Sequence, residues 1–300
     1  MIAKKKTGKL KVAQALIVLL SVCGIQAFAL DTEKAKESFN KGVTASQAGN
    51  TDEAIVAYNA AITFDPNYVD SYLNLGTIYF EQQKFEEALT QFKTAAAKAP
   101  ENKDAFANLG RVQLKLKNFT EAEASLTKAI SIDNKDGSLY KDLGKIYGEA
   151  KNYPKIIETM NSAHELGAGD DITYVLLGNA YEKTNKSQEA IAAYHKSIEV
   201  EKKNYNAHFA LGQIYMNQEK FQQAATEFKA ALEAAPSKYR AAYNYATATE
   251  SFSQDDYAGN IANWEAFVRV AKNNPKANKD IAVAQQHIKD LQAAIAQVGE

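Results

Sequence analysis

Three asparagines and an aspartate, Asn40, Asn74, Asn108 and Asp142, stand 34 residues apart. An amide side chain both donates and accepts hydrogen bonds, so a row of asparagines suits pairing with a peptide backbone whatever its side chains. Other chemistry finds less support. His164, His195, His208 and His287 have no metal-ligand spacing among them and read as surface or core residues. The "NLG" and "ALG" segments sit inside helical patterns, so they are not nucleophile elbows. The glycines lie too far apart to cradle a phosphate, and the acidic side chains fall on helix exteriors, where a solvated face is the ordinary reading. The chain therefore reads as non-enzymatic, with no cofactor, no metal and no catalytic residue.

The elements behind that spacing are legible. Gly42, Gly76, Gly110, Gly144, Gly178 and Gly212 form a second ladder of the same period. An interior helical glycine costs roughly 1 kcal/mol against alanine, so a structural gain must offset each one. Around the glycines lie Leu75, Leu109, Leu143, Leu177 and Leu211 one residue before, and Tyr79, Tyr147, Tyr181 and Tyr215 three after. Ala54, Ala88, Ala122, Ala190 and Ala224 stand twelve after, and Tyr58, Phe92, Tyr194 and Phe228 sixteen after. Apolar spacings of three and four mark amphipathic helices. Two helices fit each repeat, with breaks near "QQK" or "LKN" and near Pro66, Pro100 and Pro236.

This pattern resembles the tetratricopeptide repeat, whose unit of 34 residues carries an aromatic, Leu-Gly, Tyr, Ala, Phe, Ala and Pro at these places. Six repeats are matched: 35–68, 69–102, 103–136, 137–170, 171–204 and 205–238, within a domain of 30–238. A divergent seventh covers 239–276, with Ala246 for the glycine and Trp264 for the ring, two residues out of phase. Residues 277–300 read as a C-terminal capping helix, which a solenoid needs at its open end. The implied fold is all-α, a right-handed superhelical solenoid of helix-turn-helix units. The resemblance implies that the paired helices cross closely, glycine facing alanine. Ile156 replaces that alanine in the fourth repeat, which should loosen it. "HELGAGDD" (164–171), with two glycines and no proline, is a candidate softer joint.

The resemblance also implies a function, a scaffold holding an extended peptide or a helix of a protein partner in a concave groove lined by first helices. The sixth residue of each repeat points there: Asn40, Asn74, Asn108 and Asp142, then Leu176, Ala210 and Asn244. The first three resemble the asparagine ladder of O-linked N-acetylglucosamine transferase. Val175, Phe209, Met216 and Tyr243, with Asn179 and Gln213 between them, give the later repeats a more apolar groove. A basic clamp for carboxylate tails is not evident. Lys141 and Lys145 are in place, but Leu176, Asn206 and Ala210 depart from it. The alternative is a structural subunit of a cell-envelope secretion or assembly complex.

Residues 1–29 hold five lysines, no acid and an apolar run ending Ala27-Phe28-Ala29, which reads as a signal peptide cleaved after Ala29. An uncleaved anchor, or lipidation at Cys23, the one cysteine, are rival readings. Export to a periplasmic or extracellular compartment follows, with membrane contact only through this segment. The remainder is mildly acidic, which argues against nucleic acid as a partner.

Overall fold

The computed structural model describes residues 31–298, so the signal segment, its cleavage point and Cys23 lie outside the described residues. Every regular element among those residues is helical. The first helices of the repeats are α1 (31–47), α3 (Val69–Glu81), α5 (Lys103–Lys115), α7 (Gly137–Glu149), α9 (Asp171–Lys183), α11 (Tyr205–Asn217) and α13 (Tyr239–Phe252). The second helices are α2 (Thr51–Phe64), α4 (Phe85–Lys98), α6 (Phe119–Ile132), α8 (Tyr153–Glu165), α10 (Ser187–Val200), α12 (Phe221–Ala234) and α14 (Tyr257–Ala271). A 3-10 turn, Pro275–Ala277, leads into α15 (Asn278–Val298). Helices α1–α6 belong to a compact N-terminal unit ending at Lys135, and α7–α15 to a C-terminal unit beginning at Asp136.

The period is written into the helix ends. Asn102, Asp136, Asp170 and Asn204 close successive repeats, and each accepts a hydrogen bond from a backbone N–H in the first turn of the helix that follows. Such a cap satisfies a donor that the helix leaves unpaired. The first helices stop with equal regularity. Gln83, Lys117, Lys151, Asn185 and Glu219 adopt positive φ near +60°, in phase with Gly49 at +78°. The Lys84 N–H reaches the Tyr79 carbonyl at 2.8 Å and the Gln83 N–H reaches Phe80 at 3.0 Å. That pair of bonds is the Schellman stop, which favours glycine at the left-handed residue. Five of the six sites hold a side chain there instead.

The ladder glycines make room for a ring, which refines the expectation of glycine facing alanine. A Cβ on Gly76 would sit 2.6 Å from the Phe92 ring, and one on Gly178 2.5 Å from Tyr194. Gly42 and Gly212 face Tyr58 and Phe228 in the same way, and Gly110 faces Leu126. Each aromatic partner lies sixteen residues on and is at most 2% exposed. The alanines twelve residues on are fully buried beside them. The fourth repeat is not loosened, because Met160 fills the ring's place against Gly144 and Ile156 is buried. An unbranched thioether adapts to such a gap.

The segment 164–171, the candidate softer joint, is held by several contacts. Gly167, at φ +73°, is an ordinary helix stop for α8. Asp170 caps α9 through Thr173 and forms an ion pair with Lys141 of α7. The Tyr174 hydroxyl meets His164 Nδ1 at 2.8 Å, and Leu166 and Ala168 close over Gly137. Burial pushes the Asp170 carboxyl up, but Lys141 and Thr173 outweigh it and hold the group below the usual carboxylate range. In the seventh repeat the second helix starts at Tyr257, where Asp256 caps it through the Gly259 N–H at 2.9 Å.

Candidate peptide-binding surface

In the N-terminal unit the asparagines of α1, α3 and α5 differ in how much of each amide remains available. Asn40 is exposed and helps line an open cleft of about 390 Å³ with Glu37, Lys41 and Thr44. Asn74 donates to its own helix at the Asp70 carbonyl, 2.8 Å away, and its Oδ1 lies 3.5 Å from the Tyr58 hydroxyl. It retains one N–H for a ligand. Asn108 accepts from Arg111 at 3.5 Å, and both line a cavity of about 60 Å³ with Thr77, Phe80 and Phe92.

The C-terminal unit places Asp142 differently. Its side chain is only 11% exposed and pairs with Lys145 at 2.9 Å. Lys141 is paired with Asp170, so both lysines that could start a basic clamp are engaged within the fold. Val175, Phe209 and Met216 are half-buried at the margin of the core formed by α9–α12. Phe209 stacks on Tyr205 at 5.5 Å and leans on Phe228 at 5.6 Å. Asn179 Oδ1 lies 2.7 Å from the Tyr194 hydroxyl, while Gln213 is exposed. Tyr243 stands edge-on to Trp264 and Phe267, each 5.3 Å away, and lines a cleft of about 380 Å³.

A pairing rule in these first helices escaped the sequence reading. Position twelve of a repeat faces the ring position of its second helix, and the two match in polarity. Phe80 goes with Phe92, Leu114 with Leu126 and Met216 with Phe228, whereas Gly148 brings no side chain toward Met160. Where the ring carries a donor, position twelve accepts or donates. Tyr194 donates to Glu182 at 3.0 Å, Trp264 Nε1–H donates to Glu250 at 2.8 Å, and Ser46 hydrogen-bonds Tyr58. Burial and the Glu182 charge push the Tyr194 phenol far up, so it stays a donor. The signal was available in the sequence as a spacing of twelve, or fourteen in the seventh repeat, between residues of matched polarity.

Family models for tetratricopeptide repeats match residues 46–83, 79–146, 175–239 and 209–251, more than half of the chain in all. The chain belongs to the tetratricopeptide-repeat family. No curated protein matches it by sequence. Among solved structures, the C-terminal part of a tetratricopeptide-repeat protein from Cytophaga hutchinsonii is similar at a TM-score of 0.64 and 19% identity, covering 80% of this chain and 97% of that one. YrrB, described as a tetratricopeptide-repeat protein with an unusual peptide-binding site, is similar at 0.55 and 18% identity, covering 66% and 97%. MamA is similar at 0.53 and 26% identity, covering 57% and 93%. At these identities the first two show the fold alone.

Proposed function

We propose that this tetratricopeptide-repeat protein is a non-enzymatic interaction scaffold that holds an extended segment of a protein partner against its first helices. The observation that carries the reading is the position of the clefts. Three of them open along the first helices and include a residue of the expected binding face, Asn40, Asn108 or Tyr243, while a fourth, of about 610 Å³, lies on the second helix α4 and includes none. The N-terminal unit offers amide groups suited to a peptide backbone, and the C-terminal unit offers half-buried apolar side chains suited to an anchor residue. YrrB supports the reading as a protein of like fold with a peptide-binding site. Export, with cleavage after Ala29, belongs to the same proposal and rests on the lysine-rich, apolar start of the chain.

A peptide library displayed against the folded protein supplies the ligand, and calorimetry tests the face. Asn74→Ala and Asn108→Ala are each expected to weaken binding by about 0.5–1.5 kcal/mol. Phe209→Ala is expected to cost about 1–2 kcal/mol or more. If all three variants fold normally and bind like the parent, the partner uses another surface.

A further inference from the structure

The cleft of about 380 Å³ near the end of the chain has an unusual lining. One wall is a strip of Tyr243, Thr247, Glu250 and Ser251 of α13 with Gln254 in the turn beyond it; the other is His287 and Leu291 of α15, with Trp264 as floor. The hydroxyl hydrogens of Thr247 and Ser251 on that strip are committed. Thr247 donates to the Tyr243 carbonyl at 3.0 Å, and Ser251 donates to the Thr247 carbonyl at 2.9 Å. Their oxygens therefore remain as acceptors. Glu250 is held by the Trp264 indole N–H at 2.8 Å and meets His287 Nδ1 at 3.2 Å. A carboxylate accepts about four hydrogen bonds, so roughly two sites are left. His287 lies flat on the indole, 4.9 Å between ring centres, and so fixes the carboxylate and shields the ring.

The cleft thus joins a positioned negative charge and two hydroxyl acceptors to the apolar flanks of Tyr243 and Leu291. We propose that it binds the guanidinium of an arginine side chain. Guanidinium presents five N–H donors in a plane, is weakly hydrated, and carries a stem that packs on apolar flanks. An ammonium is more strongly hydrated and fits less well. An anionic side chain would face Glu250 without a compensating charge. The inference rests on the proposed function only for the source of the arginine.

Trp264 is the only tryptophan of the chain, so its fluorescence and its indole N–H resonance report on this cleft alone. The probes are the capped tripeptides acetyl-Ala-Arg-Ala-amide, its lysine counterpart and its citrulline counterpart, which keeps the shape and lacks the charge. The arginine tripeptide is expected to shift the indole resonance saturably. Citrulline is expected to bind about tenfold or more weakly, lysine in between, and added salt to weaken arginine binding. Glu250→Gln keeps an acceptor for the indole and is expected to reduce arginine binding to the citrulline level. Thr247→Val leaves the carboxylate in place and is expected to weaken it a few-fold. Equal binding of the arginine and citrulline tripeptides, or no shift with arginine at millimolar concentration, overturns the proposal. A tripeptide does not test the asparagine face, so arginine selectivity in a protein whose partner ignores Asn74 and Asn108 would keep the cleft and remove the wider groove.

Discussion

The second and the seventh repeats share one backbone plan and fill its centre in different ways. In α3 and α4, Phe80 and Phe92 belong to one apolar cluster, and the cavity they line is only about 60 Å³. In α13 and α14, Trp264 donates to Glu250, and the cleft beside them opens to about 380 Å³. The repeat accepts an apolar pair or a hydrogen-bonded pair at these positions. A mixture would leave a buried donor unpaired, at about 1–3 kcal/mol. The choice also sets the chemistry of the surface above it. The apolar pair leaves a small cavity, while the pairs of Glu182 with Tyr194 and Glu250 with Trp264 station a carboxylate there. Binding character is thus distributed repeat by repeat, through a position that the repeat's own packing constrains.

The comparison is broken most severely at a glycine. Gly110→Leu would drive a side chain into Leu126, whose Cγ lies 2.6 Å from the position of a Cβ, and toward the Ala122 carbonyl at 3.3 Å. A loss of roughly 3 kcal/mol is expected. Hydrogen exchange is expected to show it first in α5 and α6, because each repeat contacts only its neighbours. Unchanged protection there would remove the ring-room explanation of the ladder.

Converting one pair into the other sharpens the comparison. Phe92→Tyr adds a hydroxyl beneath Phe80 and is expected to cost about 1–3 kcal/mol in chemical denaturation. Adding Phe80→Glu supplies the acceptor that Tyr194 has in Glu182. The double variant is expected to recover at least about 0.5 kcal/mol relative to the sum of the singles. Strict additivity would mean that the matched polarities are coincidental.

A pH-dependent term belongs to the C-terminal unit. His208 is buried with Nδ1 2.7 Å from Glu227 and Nε2 3.0 Å from the Lys202 carbonyl. Two acceptors at the two ring nitrogens call for the doubly protonated ring. The bond to Glu227 raises its pKa above 6.5, burial opposes this, and the Lys202 carbonyl adds to the rise. A raised folded-state pKa gives stability that is full below the unfolded value and is lost as pH climbs through the folded one. Melting temperature is therefore expected to fall from pH 6 toward pH 8 more in the parent than in His208→Gln. Equal slopes would assign the dependence elsewhere.

The smallest effect lies at the helix stops. Lys117→Gly is expected to stabilise the N-terminal unit by about 0.5–1 kcal/mol, because φ of +63° suits glycine. Gly49→Ala should lose a similar amount. Thermal melts of the two variants check both signs.

These stops show where sequence reading reached its limit. The glycine ladder, the seven repeats and the cap were legible because a clash between Cβ and a ring permits one residue type at a fixed phase. The left-handed positions were not, since Gln83, Lys117, Lys151, Asn185 and Glu219 share no side-chain property. Only Gly49, in the same phase, hinted at them. The candidate face was legible in part. Asn40, Asn108 and Tyr243 line clefts, but Asp142 was offered as a ligand group and is held by Lys145. Glu250 was not singled out and His287 was read only as a surface or core residue, because their roles depend on where α15 settles against α14, which no repeat pattern specifies.

The claim that partners dock on the first helices is tested most directly by hydroxyl-radical footprinting of the protein alone and with a selected peptide. Phe209, Met216 and Tyr243 are half-buried on first helices, whereas Val56 and Val200 are 69% and 54% exposed on second helices. The account predicts that the peptide protects Phe209, Met216 and Tyr243 and leaves Val56 and Val200 as reactive as before. Protection of Val56 and Val200 with no change at the other three would contradict it.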